Sequence, residues 1–388
     1  MSAVMAAGPI ICGAWYYTIL AGFYVLYCPV MYLMFLNHAL YRNVVDLLFA
    51  LWELYPVALF QWCFGTTLHH YGDYVNPNET TIIVMNHRTR VDWNYVWIAL
   101  YHATQKNYPE CSCKGPEVEE DLNVFDMIAG GKSRIKIILK DEIKSVPGMG
   151  WIMQLNLFLY VKRNWQEDQV NMTQYVDYYK KLHYRQRIVL FPEGTDLSEE
   201  NKRRSERYAL SKLLPIYDYV LHPRTTGWSN LCTTLRGSGL VSVYDVTVAY
   251  DTPAQTELDL LRGNIPRHVY FYFKRYPIEE LPNDEEALRT WLMTRWTEKN
   301  ACLQNFHSDG TFLDMTTNKP VPERPPRSLT VAKAGFIFWT IIDLLFFYGL
   351  CYNTVFRFWV IYHTLLFFLV TKYCDGFQKI QYRLLNRL

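Results

Sequence analysis

The sequence predicts an α/β fold, a mostly parallel sheet flanked by helices, with membrane helices at its N-terminal and C-terminal ends. Three observations predict it. Residues 11–36 carry no charged side chain across 26 positions, more than the roughly 20 that cross a bilayer. Residues 334–371 are apolar apart from Asp343, Arg357 and His363, long enough for two helices joined near Tyr352 and Asn353. Between them, short apolar runs alternate with stretches of helical period, as in strands linked by crossover helices.

In order, the charge-free segment lacks a basic leading region and is too long for the core of a cleaved signal, so it is expected to stay as an anchor. A second apolar stretch, Val44 to Leu68, contains Asp46, Glu53 and Pro56. It is expected to break at the proline and to span, re-enter or lie in the interface, as a paired hairpin or shallow anchor in preference to two simple spans. Both acids are expected to face the partner helix or the headgroups, because they would be costly in lipid. Thr81 to Met85 reads as a buried strand and Trp93 to Leu100 as a helix. Lys106 to Ser133 reads as a surface excursion. Strands are expected at Ile135 to Lys140, Ile188 to Phe191, Tyr244 to Tyr250 and His268 to Phe273. Helical period marks Glu167 to Arg185 and Asp284 to Asn305. The expected divisions are N-terminal membrane helices over 1–70, an α/β domain over 71–319, a Pro-rich linker over 320–333, and a membrane hairpin with a basic tail over 334–388.

Hydrophobic residues make up 50% of the 388, yet mean hydropathy is −0.08, so apolar material is concentrated in segments. A formal charge of +2 gives no basis for nucleic acid binding by overall charge. The nine cysteines are odd in number. Cys111 and Cys113 match no common zinc spacing, and neither a metal nor a bound cofactor is expected. Basic residues flanking the C-terminal hairpin, Arg324, Arg327 and Lys333 before it and Lys372, Lys379, Arg383 and Arg387 after it, put the domain and the tail on the cytoplasmic side. The sequons at Asn78 and Asn171 are then silent.

Candidate chemistry gathers at strand ends. Asn86 and His87 follow the Thr81 strand, and Asp92 opens the next helix. Residues five apart on one helix diverge by roughly 140°, so His87 must lie in the turn for Asp92 to fold back onto it. Such a pair is a base and its orienter with the nucleophile left to the substrate, or else a structural contact. Glu193, Gly194 and Thr195 leave the Ile188 strand in the same way, where open α/β sheets place ligands. They read either as a polyol site or as an acidic turn ahead of a helix capped by Ser198. Lys132, Arg134 and Lys136 read as a solvated face, whereas Lys140 and Arg163, bracketing a Pro147–Trp151 turn, are candidates for a phosphate. Lys202, Arg203, Arg204 and Arg207 form a second basic set, either a solvated helix face or a contact for a nucleotide phosphate. Leu221 to Trp228, with Pro223, Arg224 and two threonines, reads as a loop able to offer donors to an oxyanion.

In combination these residues resemble the glycerolipid acyltransferase family. Asn86, His87 and Asp92 resemble its first block, Lys140 through Pro147, Gly148, Gly150 and Trp151 to Arg163 its second, Phe191 to Thr195 its third, and Val220 to Pro223 its fourth. The wording of Asn86 to Trp93, Phe191 to Leu197, Val220 to Gly227 and Asp245 to Tyr250 is similar to the branch that acylates lysocardiolipin and lysophosphatidylinositol. The resemblance implies an acyl-CoA co-substrate, a lysophospholipid acceptor, and His87 with Asp92 as the catalytic pair. It also implies Lys140, Arg163, Glu193, Gly194 and Thr195 at the acceptor, Asn86, Pro223 and Arg224 as acyl-CoA or oxyanion contacts, and a place in the endoplasmic reticulum membrane. A thioesterase that admits water, and a non-catalytic lipid-binding protein on the same fold, are the other readings the residues allow.

Overall fold

The computed structural model describes residues 13–104, 134–253 and 256–387. The expected excursion Lys106 to Ser133, Lys132 included, lies outside them. Seven strands carry the argument: β1 (Thr67–Gly72), β2 (Thr80–Met85), β3 (Ile135–Lys140), β4 (Leu159–Val161), β5 (Arg187–Leu190), β6 (Leu240–Tyr250) and β7 (His268–Pro277). The chain divides into two compact units, one built from residues 59–104 and 187–328, the other from 13–58, 134–186 and 329–387. The 71–319 stretch expected as one domain is therefore shared between them, because 134–186 groups with the apolar ends of the chain.

In the first unit the strand order is Glu323–Arg324, β1, β7, β6, β2, β5. The β1–β7, β2–β6 and β2–β5 pairs are parallel, and β6–β7 is antiparallel. Both faces of a parallel strand are covered by crossover helices, which is why Thr-Thr-Ile-Ile-Val-Met is buried at all six positions of β2. β1 went unread in the sequence because its Leu-His-His-Tyr centre carries no apolar alternation. In the fold its register with β7 pairs His70 with Phe271 and Tyr71 with Tyr272. β2 and β5 run in the same direction, so the turns carrying His87 and Glu193 leave the sheet at one edge. Leu197 N–H donates to the His87 carbonyl at 2.9 Å and ties the two turns.

In the second unit β3 and β4 pair in parallel, with Lys140 opposite Val161. The apolar run expected over Trp151 to Val161 divides into a helix, Met149–Leu155, and β4. Among the described residues, four helices are long and apolar enough to cross a membrane: Gly13–Leu36, His38–Cys63, Thr330–Tyr352 and Thr354–Cys374. The break expected at Pro56 does not occur. The helix runs through the proline and departs from α geometry only over Leu59–Cys63, which is wound as π-helix. Asn353 separates the last two helices and caps the second by accepting from Phe356 N–H at 3.0 Å. Helices meet closely where a glycine leaves room: a Cβ on Gly22 would lie 2.7 Å from the Trp339 ring, whose Nε1–H donates to the Leu51 carbonyl at 2.8 Å.

Asp46 is 1% exposed. It meets Lys136 Nζ at 3.1 Å, Arg42 at 3.4 Å and the Tyr184 hydroxyl at 2.5 Å. Lys136, expected on a solvated face, is instead fully buried, because β3 carries it onto this carboxylate. Burial pushes its ammonium down to about 8 against the pull of Asp46. Removing one member of a buried ion pair leaves the other uncompensated, a cost of about 3–5 kcal/mol. Asp46→Ala is therefore expected to lower sharply the thermal midpoint of the full chain in lipid nanodiscs. An unchanged midpoint would show that the cluster contributes no net stability.

Candidate active site

The His87–Asp92 contact is built by a local turn. After Met85 ends β2, residues 86–91 fold so that Asp92 becomes the first residue of the helix Asp92–Ala103. Its backbone N–H donates to the Thr89 carbonyl at 3.3 Å. The carboxylate folds back over that turn, with Oδ2 accepting from His87 Nδ1 at 2.9 Å and from Thr89 N–H at 3.1 Å. Oδ1 accepts from the Thr89 hydroxyl at 3.0 Å and from the Tyr250 hydroxyl at 2.5 Å. Four donors and the positive end of a helix thus hold a carboxylate that is 0% exposed.

His87 keeps its side chain 20% exposed, with its ring 4.6 Å from that of Phe191. With Nδ1–H given to Asp92, the neutral ring carries its lone pair on Nε2, the tautomer suited to a general base. Burial lowers the imidazole's affinity for a proton, but the bond to Asp92 and its charge outweigh that. Its pKa lies above the ordinary histidine value.

Of the two readings of Glu193, a polyol contact or an acidic turn ahead of a capped helix, its environment matches the turn: it is 3% exposed and both its oxygens engage the protein. Oε1 accepts from His87 N–H at 3.2 Å and from Trp296 Nε1–H at 3.3 Å, and Oε2 from Leu221 N–H at 3.1 Å. The carboxylate joins the His87 turn, its own turn, the 221–224 segment and the helix Glu285–Asp309. Burial pushes its pKa up to about 8, while the donors and His87 pull the other way. Gly194 adopts φ 71°, where a side chain is strained, and a Cβ there would lie 3.2 Å from Arg224 Nε. Arg224 N–H donates to the Pro192 carbonyl at 2.7 Å, so the third and fourth blocks form one surface. Pro223 is buried and Arg224 is exposed. Thr195 accepts from Asn201 Nδ2 at 3.0 Å.

Asn86, a candidate donor, spends its amide on β6. Its Oδ1 accepts from Val248 N–H at 2.8 Å and its Nδ2 donates to the Val248 carbonyl at 3.1 Å. The 221–228 stretch is a loop only as far as Arg224. Its two threonines open the helix Thr225–Arg236, so they lie in a helical turn. Ser198 caps the helix Glu199–Lys212 by accepting from Asn201 N–H. On that helix Lys202 pairs with Asp218 at 3.0 Å and Arg204 with Glu200 at 3.0 Å. Lys140 and Arg163 belong to the second unit. Both are exposed, Lys140 as the last residue of β3 and Arg163 two residues beyond β4 with φ 62°.

Two family models match the chain, one described as Acyltransferase over residues 121–251 and one as Acyltransferase C-terminus over 259–339. Lysocardiolipin acyltransferase 1 of Mus musculus is 37% identical over 317 residues, covering 81% of this chain and 77% of that protein. Its Gallus gallus counterpart is 35% identical over 320 residues, covering 81% and 78%. The chain belongs to the glycerolipid acyltransferase family. Lysophosphatidylinositol acyltransferase 10 of Caenorhabditis elegans is 32% identical over 320 residues, covering 79% and 75%. This acyltransferase carries His87 and Asp92 ahead of the first matched segment, and Glu193, Tyr250 and Trp296 within the two.

Sequence reasoning did not find Thr89, Tyr250 or Trp296 as parts of the site. Thr89 had a local signal, a hydroxyl three residues before an acid at a helix start. The other two reach the site only through the sheet and the Glu285–Asp309 helix. Glu193 is expected to act through this packing. Glu193→Ala strands three N–H donors at a cost of about 1–3 kcal/mol each, and is expected to depress the thermal midpoint in detergent. Glu193→Gln restores it only in part, because an amide nitrogen cannot accept from the third. Full recovery with Gln would refute the three-donor account.

Proposed function

We propose that this acyltransferase is an acyl-CoA-dependent lysophospholipid acyltransferase, transferring a fatty acyl chain to a lysophospholipid hydroxyl, with lysocardiolipin or lysophosphatidylinositol as acceptor and lysophosphatidic acid as a further option. The observation that carries the reading is the 2.9 Å bond from a partly exposed imidazole to a wholly buried carboxylate, within a chain whose relatives are named for lysocardiolipin and lysophosphatidylinositol acylation.

In this mechanism His87 Nε2 removes the acceptor hydroxyl proton as the oxygen attacks the thioester carbonyl. Asp92 holds the tautomer and stabilises the imidazolium. The tetrahedral oxyanion collapses, the carbon–sulfur bond breaks, and the departing thiolate recovers the proton from His87. No acyl-enzyme forms and no metal or bound cofactor takes part. Lys140 and Arg163 are the proposed contacts for the acceptor phosphate. Gly194 and Thr195, with Pro223 and Arg224 behind them, are proposed to shape the substrate-facing turn, which Glu193 holds in place. The enzyme is proposed to work in the endoplasmic reticulum membrane with this site facing the cytosol, where acyl-CoA is found.

The test is an assay of the purified full chain with a panel of lysophospholipids and acyl-CoAs. His87→Ala is expected to lose roughly 10²-fold to 10⁴-fold in kcat while the chain still folds cooperatively. Transfer at the wild-type rate would overturn the mechanism, and thioester cleavage without acceptor at the full rate would favour hydrolysis. The pH dependence has a definite sign. The base works when neutral and its pKa is raised, so kcat/KM is expected to rise through a limb above the ordinary histidine value of about 6.5. The same raised pKa adds stability below that value, lost as pH climbs through the folded-state pKa.

A further inference from the structure

We infer that Tyr250 is a positioning residue that sets the strength of the His87 base through Asp92. The inference rests on the reading of His87 as the general base.

Tyr250 closes β6, the longest strand of the sheet, and is 4% exposed. Its hydroxyl donates to Asp92 Oδ1 at 2.5 Å, the oxygen away from the imidazole. The ring is braced edge-on by Tyr95, with centroids 5.5 Å apart. Tyr95 lies one turn into the Asp92 helix and is itself fully buried, so the helix that presents the carboxylate also aims the phenol at it. Two residues earlier on β6, the Val248 peptide clamps Asn86. The strand therefore grips both ends of the 86–92 turn. Burial, followed by the Asp92 charge, holds the phenol pKa well above its ordinary value, so it remains a donor wherever the enzyme works.

A carboxylate that shares its charge with a phenol O–H has less to give the imidazolium. Without that donor, Asp92 attracts the protonated form of His87 more strongly, and the imidazole's pKa rises. The carboxylate also gains freedom to rotate, so the ring is less well aimed. Hydrogen bonds to charged groups are worth enough to change rates by about tenfold or more.

The experiment compares wild type, Tyr250→Phe and the full-length enzyme with 3-fluorotyrosine at position 250, a near-isosteric and stronger donor. Each is assayed for acyl transfer from pH 5 to 9, with a thermal midpoint. Tyr250→Phe is expected to lower kcat roughly tenfold, leave both KM values within about twofold, and move the acid limb of kcat/KM to higher pH. 3-Fluorotyrosine is expected to move that limb to lower pH with the midpoint unchanged, which keeps the test decisive if Tyr250→Phe folds poorly. An acid limb that stays fixed in both enzymes, with activity following only the folded fraction, would overturn the inference and leave Tyr250 a packing residue. Failure of the underlying reading looks different: His87→Ala would then transfer acyl groups at the wild-type rate.

Discussion

The first unit depends on one buried anion. Asp92 is wholly removed from solvent and is held by His87, Thr89 and Tyr250. A carboxylate in that position survives only where hydrogen bonds and a helix N-terminus offset its desolvation, and each partner comes from a different level of structure. Thr89 is supplied by the turn itself. Tyr250 comes from the far end of the longest strand, so the sheet must be assembled in register before the charge is satisfied. His87 is the partner left partly exposed, so the pair joins a buried carboxylate to an accessible imidazole.

Glu193 plays the matching part on the neighbouring turn. Its oxygens gather N–H groups from His87, Leu221 and Trp296, three segments that share no local sequence. Two buried carboxyl groups thus meet His87, and they have different work. Asp92 meets the side chain and sets its tautomer, while Glu193 meets the backbone and sets where the side chain begins. A third group, Lys299, reaches Asp245 and the Val246 carbonyl, fastening to β6 the same helix that supplies Trp296.

Legibility in the sequence followed the range of the interactions. The buried strand β2 was readable because its environment is apolar on both faces, which leaves a continuous hydrophobic run. The meeting of His87 with Asp92 was readable because five residues and a turn contain it. β1 was not, since its histidines and tyrosine take their burial from β7. The antiparallel sense of β6 and β7 has no local mark either. Glu193 was recognised as important, but the identity of its partners was hidden, because Trp296 lies 103 residues away. Tyr250 lies 158 residues from Asp92 and was visible only as one letter in a branch-like phrase. Lys136 was misread for the same reason: nothing near it in the chain announces Asp46.

That last pairing bears on how the protein is made. Asp46 emerges from the ribosome within an apolar segment 90 residues before Lys136 and 138 before Tyr184. Of its three partners only Arg42, four residues upstream on the same helix, precedes it in the chain. The i, i+4 pair forms within one helix and persists at 3.4 Å beside Lys136 in the folded unit, so the acid has a local counter-charge whose geometry needs nothing downstream.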